Sequence, residues 1–78
     1  MTPSPAEQWA AAVVATLPAH APLPDRAALL LGWADDVRLG LADLPPDVTD
    51  QAAAGMLITA ATQYANTWRL QQQRNSSN

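Results

Sequence analysis

The side chains that could do chemistry are few, and the lone imidazole is the first to consider. His20 is the only histidine, and the chain has no cysteine, which excludes disulfides and the usual thiolate zinc sites. His20 lies between two alanines in a proline-rich stretch, and no nucleophile or orienting carboxylate stands at a spacing that would form a catalytic triad. We therefore interpret His20 as a solvated loop residue.

Carboxylates supply the remaining candidate chemistry, and their spacing favours structural roles. Asp35 and Asp36 could begin an aspartate-rich magnesium site, but the next acid, Asp43, is seven residues beyond Asp36. Asp43, Asp47 and Asp50 cluster around a predicted turn, yet they lack the ligand alternation and the glycine of an EF-hand loop. Capping and solubility explain these acids, so the sequence predicts no metal, no cofactor, no catalytic residue and no enzyme.

Composition predicts a folded helical chain with little affinity for nucleic acid. The 78 residues carry a net charge of −3 and no lysine, whereas binding to phosphate backbones depends on clustered cations. Hydrophobic residues make up 49% of the chain, and 17 of them are alanine and 10 are leucine, both strong helix formers. Abundant alanine, with arginine in place of lysine, is also typical of proteins from GC-rich bacterial genomes.

Neither apolar run of the sequence predicts a membrane segment. The run from Trp9 to Leu17 is too short to span a bilayer, and the residues before it lack the basic start of a secretory signal. The second run is interrupted by Gly32, Asp35 and Asp36. We therefore predict a soluble cytoplasmic protein that contacts no membrane.

Prolines divide the chain into three predicted helices, the first of which has a clear start. Ser4 and Glu7 have the spacing of a capping box, and Pro5 suits the first helical position. A helix is therefore expected over about 5–17, after an N-terminal tail of residues 1–4. Three prolines in the next seven residues then require a loop.

The second helix is predicted over about 24–44 from apolar residues that alternate three and four apart. Trp33 adjoins this seam, which consists of Ala27, Leu30, Ala34, Val37, Leu41 and Leu44. Gly32 and Gly40 in this helix and Gly55 in the next are unfavourable in helix interiors. We expect them either to admit the close approach of another helix or to be tolerated, with Gly40 at the edge of the seam.

The third helix is predicted over about 48–74, after Pro45 and Pro46 and before a polar tail of residues 75–78. Its apolar arc is about 200° wide, twice the minimum stripe of a surface helix. One neighbouring helix cannot cover such an arc. Because this helix is also longer than the second, the end that carries Trp68 should protrude from an antiparallel hairpin.

These observations predict an all-α, three-helix domain over residues 5–74, with a short N-terminal helix and a long antiparallel helical hairpin. We expect a homodimeric bundle, because a core this small seldom stabilises a monomer. The leading hypothesis is a non-catalytic protein–protein interaction or regulatory adapter that self-associates and has no direct nucleic-acid contact. Its expected interaction surface is formed by Met56, Ile58, Ala65 and Trp68.

Two alternatives remain open at this stage. The bundle could bind an apolar small molecule in a pocket lined by Trp33, Tyr64 and Trp68, since sites between helices are common. The chain could also be an accessory factor of a transcription or mobile-element system, acting through a DNA-bound partner protein.

Overall fold

The computed structural model of the chain describes residues 2–76, and it confirms the predicted all-α architecture. Three helices follow one another: α1 (Pro5–Ala15), α2 (Leu23–Arg38) and α3 (Asp50–Ser76). No strand occurs among the described residues. The last two residues of the predicted polar tail lie outside the described residues, and α3 continues through positions 75 and 76, which were expected to belong to that tail.

The first helix begins at the predicted cap and ends earlier than predicted. The backbone N–H of Glu7 donates to the Oγ of Ser4 at 3.2 Å, with Pro5 at the first helical position. The prediction that α1 reaches residue 17 is wrong, because the Thr16 hydroxyl and backbone N–H both donate to the Val13 carbonyl, at 2.6 and 3.0 Å. This tight final turn closes the helix at Ala15.

The second helix ends at Arg38, so the prediction that it continues to Leu44 is wrong. Gly40 adopts a left-handed conformation with a φ of 75°. The N–H of Leu41 donates to the Asp36 carbonyl at 2.8 Å, and the N–H of Gly40 donates to the Val37 carbonyl at 3.2 Å. These two bonds form a Schellman motif, which satisfies the last carbonyls of a helix and turns the chain away.

The early stop of α2 also shortens its buried seam. The first four predicted positions are buried, whereas Leu41 is 72% exposed and Leu44 only half-buried. Within the single chain the glycines admit no close neighbour, since a Cβ built at Gly32, Gly40 or Gly55 would meet no atom within 4 Å. Gly32 and Gly55 are tolerated in their helices, which is the other expectation. Gly40 is required for its backbone conformation instead.

The third helix begins with a side-chain cap. The Thr49 Oγ1 accepts a hydrogen bond from the Ala52 N–H at 3.1 Å, which satisfies one of the free donors of the first turn. Val48, just before the cap, is buried in the same cluster as Ala53, the arrangement of a hydrophobic staple. The helix therefore starts at Asp50, two residues later than predicted.

The core lies between α2 and α3, which pack as an antiparallel pair. Arg26, near the start of α2, lies over Tyr64 late in α3, while Arg38 at the end of α2 lies beside the start of α3. The largest fully buried side chains are Leu30, Leu57 and Val37. The remaining buried core residues are seven alanines and two valines: Ala6, Ala10, Val13, Ala27, Ala34, Val48, Ala53, Ala54 and Ala61.

The first helix packs against α3 and covers one side of the hairpin. Trp9 of α1 meets Trp33 of α2 edge-on, with ring centroids 6.3 Å apart and an interplanar angle of 82°. Such T-shaped pairs are favourable beyond the area that they bury. The wide apolar arc of α3 is therefore shared between two neighbours, α1 and α2.

The C-terminal part of α3 extends past the rest of the molecule, as the sequence predicts. At 1.5 Å per residue, α3 is about 40 Å long and α2 about 24 Å. Every residue from Asn66 to Asn75 is exposed, and we call this segment the C-terminal extension. None of the described helices combines the length and the apolarity that crossing a bilayer requires.

Substituting Gly40→Ala tests the Schellman stop. We expect a loss of about 1–2 kcal/mol in unfolding free energy, because alanine is strained at positive φ, measured by urea denaturation. Gly32→Ala is the matched control: it lies within α2 with open space around its Cβ position, so it should stabilise the protein by about 0.5–1 kcal/mol. Equal effects of the two substitutions would contradict this account of the helix end.

Candidate interaction surface

The C-terminal extension carries large apolar side chains that the rest of the chain leaves uncovered. Trp68 is 41% exposed and Leu70 is 60% exposed. The Thr67 hydroxyl donates to the Gln63 carbonyl of its own helix at 2.9 Å. Tryptophan is the residue type most enriched at binding hot spots, so the extension has the composition of a contact surface.

The predicted interaction residues are spread over two flanks of α3. Ile58 and Ala65 are half-buried, and their spacing of seven positions places them on the same flank, one above the other. Met56 is also half-buried, but it lies two residues before Ile58 and therefore about 160° away around the helix. Trp68 lies one turn beyond Ala65, in the C-terminal extension.

An open groove of about 450 Å³ lies beside the exposed flank, between the end of α2 and the start of α3. Three residues of α3, Ala54, Gly55 and Ile58, form an apolar wall. The charged side chains at its borders are those of Arg38 and Asp50. The complete lining is Arg38, Asp50, Gln51, Ala54, Gly55 and Ile58. Sequence reasoning missed this groove, because it exists only where α2 stops at Arg38 and α3 begins.

The groove and α1 lie on different sides of the hairpin. On α2, Trp33, which contacts α1, and Arg38, which borders the groove, are five residues apart. At about 100° per residue they point about 140° away from each other. The flank that carries Ile58 is therefore the one that α1 leaves open.

Two of the three rings of the predicted pocket have other partners in the structure. Trp33 packs against Trp9, and Tyr64 lies beneath the guanidinium of Arg26, whose central carbon is 6.0 Å from the ring centroid. Neither the groove described above nor a second, smaller cavity at the end of α3 is lined by these rings or by Trp68.

Arg26 fastens the proline-rich loop to the helical hairpin. Its Nε donates to the Ala21 carbonyl at 2.9 Å, and its terminal nitrogen donates to the Ala19 carbonyl. The same half-buried guanidinium lies over Tyr64, a cation–π arrangement. The sequence contains a signal for this role, an arginine in the first turn after a loop rich in free carbonyls, which sequence reasoning did not use.

The remaining candidates for chemistry stand apart from one another. His20 is exposed in the loop between α1 and α2, Asp43 and Asp47 are exposed between α2 and α3, and Asp50 is exposed at the start of α3. Within residues 2–76, no group of three or more histidine, aspartate or glutamate side chains is close enough to hold a metal ion.

No protein-family model matches the chain, and neither the curated proteins nor the solved structures include a match to it.

Replacing Arg26 tests its fastening role. Arg26→Ala should lower the unfolding free energy by about 2 kcal/mol, because two loop carbonyls lose their donors and Tyr64 loses its cation. Arg26→Lys keeps the charge without the planar fork, so it should recover only part of that loss. Urea denaturation measures both. Full stability of Arg26→Ala would show that the loop is held by other contacts.

Proposed function

We propose that this chain is a small non-catalytic protein–protein interaction module, of the regulatory-adapter kind, that self-associates. The observation that carries the proposal is the C-terminal extension, which holds Trp68 and Leu70 in solvent. Helical segments of about ten residues are marginal in water without tertiary packing. A partner that covers the extension would supply that packing.

The overall dimensions support association. The radius of gyration is 14.0 Å, whereas a compact domain of this length has about 11.5 Å. The accessible surface is 5482 Å², whereas a compact monomer of this mass exposes about 4,600 Å². The excess, about 900 Å², is close to the roughly 800 Å² that each partner buries in a standard interface.

The groove beside Ile58 provides a receptor surface for such a contact. Its volume of about 450 Å³ falls within the range of about 300–1,000 Å³ that binding sites occupy. Its apolar wall with charged borders has the general anatomy of a protein interface. The molecule therefore presents both a protruding apolar element and a concave one.

Sedimentation equilibrium at micromolar concentrations tests the proposal. We expect a concentration-dependent increase in mass, and Trp68→Ser should raise the dissociation constant at least tenfold, in the range of a hot-spot loss. Leu29→Ser is the control, because Leu29 is exposed to a similar extent as Trp68, at 46%, but lies nine residues and therefore about 180° around α2 from Arg38, on the side away from the groove. A cooperatively folded monomer at all concentrations, or equal effects of the two variants, would contradict the proposal.

A further inference from the structure

Charge is divided unequally between the two parts of the chain. Residues 1–50 contain two arginines and seven acids, a net charge of −5, whereas residues 51–78 contain two arginines and no acid, a net charge of +2. The groove is bordered by the last acid, Asp50, and the C-terminal extension carries Arg69 next to Trp68. Unlike charges on two surfaces of one molecule favour contact between one copy's basic surface and another copy's acidic one.

We propose that Trp68 of a second copy occupies the groove, in a two-fold symmetric dimer whose α3 helices run antiparallel. This inference rests on the proposed function, for which it names the partner and the contact. Ala54 in the groove wall and Trp68 are 14 residues apart, about 21 Å along the helix. Setting Trp68 of one copy beside Ala54 of the other therefore places the two-fold axis at the level of position 61 along α3.

The same register satisfies both copies at once. When one Trp68 enters the groove of the second copy, symmetry places the second Trp68 in the groove of the first. The contact is closed, so it ends at a dimer and forms no filament. Two hairpins joined in this way make a four-helix bundle of α2 and α3 from each copy, with antiparallel neighbours.

Electrostatic pairing agrees with this register. In this register Arg69 of one copy lies opposite position 53 of the second copy. Position 53 is three residues, about 4.5 Å along the helix, from Asp50 of that second copy. An arginine side chain spans that distance. Arg38, which borders the groove, lies where it can stack on the incoming indole, as Arg26 already does on Tyr64.

The flank of α3 that would meet the second copy carries mostly small side chains, and α1 does not cover it. A Cβ built at Gly55 meets no atom within 4 Å, so the backbone there is open to a close neighbour. Near the proposed axis, the Thr62 hydroxyl donates to the Ile58 carbonyl of its own helix at 2.9 Å. Pairing would also cover Ile58, Ala65 and the half-exposed Leu31 of α2.

Single cysteines test the geometry directly, since the chain has none of its own. Thr62 lies beside the proposed axis, so Thr62→Cys should form a disulfide-linked dimer on mild oxidation at micromolar concentration. Gln63→Cys is the matched control: Gln63 is also exposed but lies about 100° further around the helix, facing away from the second copy. It should remain largely monomeric on a non-reducing gel.

A charge exchange tests the proposed ion pair in the unlinked protein. Arg69→Asp and Asp50→Arg should each raise the dimer dissociation constant roughly three- to tenfold, and the double variant should recover most of the loss. Recovery separates pairing from any effect of Asp50→Arg on the start of α3, because a helix-start defect would persist in the double variant. A double variant as weak as the worse single variant would overturn the pairing.

The outcomes separate this inference from the proposed function. A wild-type chain that associates, with Thr62→Cys and Gln63→Cys linking equally or not at all, would overturn the antiparallel dimer and leave the interaction module standing. A wild-type chain that stays monomeric in sedimentation would overturn both. Selective linking of Thr62→Cys, together with recovery in the double charge variant, supports the dimer.

Discussion

A mismatch in helix length governs this molecule, and it originates in one backbone conformation. Gly40 takes a left-handed φ of 75°, which lets the Schellman bonds form and stops α2 after 16 residues. Nothing comparable interrupts α3, which runs for 27 residues. Because two antiparallel helices can cover each other only over their shared length, the last turns of α3 lie beyond the hairpin. The exposed Trp68 follows from this mismatch, and so does the groove between Arg38 and the start of α3.

The composition of the core limits what the chain can stabilise alone. Only Leu30, Leu57 and Val37 are large and fully buried, and most other buried positions are alanine, which contributes little area to the hydrophobic effect. Alanine does let helix axes approach closely and gives high helix propensity. A chain built in this way forms helices readily but buries little apolar area by itself. Covering the C-terminal extension would therefore add substantially to its stability.

Sequence reasoning recovered the features that depend on local pattern. The Ser4 cap, the helical class, the first four seam positions of α2 and the protrusion of Trp68 all follow from spacing, propensity and length. It failed at Gly40, because the apolar pattern of the seam continues past that residue to Leu41 and Leu44. A glycine inside such a pattern is compatible both with a continuing helix and with a helix end. It also missed the groove and the contact of Arg26 with Tyr64, since both depend on segments distant in the chain. The sequence places Met56 and Ile58 on different flanks of α3, but which flank stays open depends on where α1 packs against the hairpin.

Native-state hydrogen exchange resolved by residue, followed as a function of protein concentration, tests most directly whether a second copy covers the C-terminal extension. Amides of residues 66–74 should exchange at nearly unprotected rates in dilute solution and become protected as concentration rises, since packing is what would stabilise these turns. Amides of residues 53–61, in the core of the single chain, provide the internal reference and should be protected throughout. Exchange of the extension at the same rate at every concentration would contradict the account.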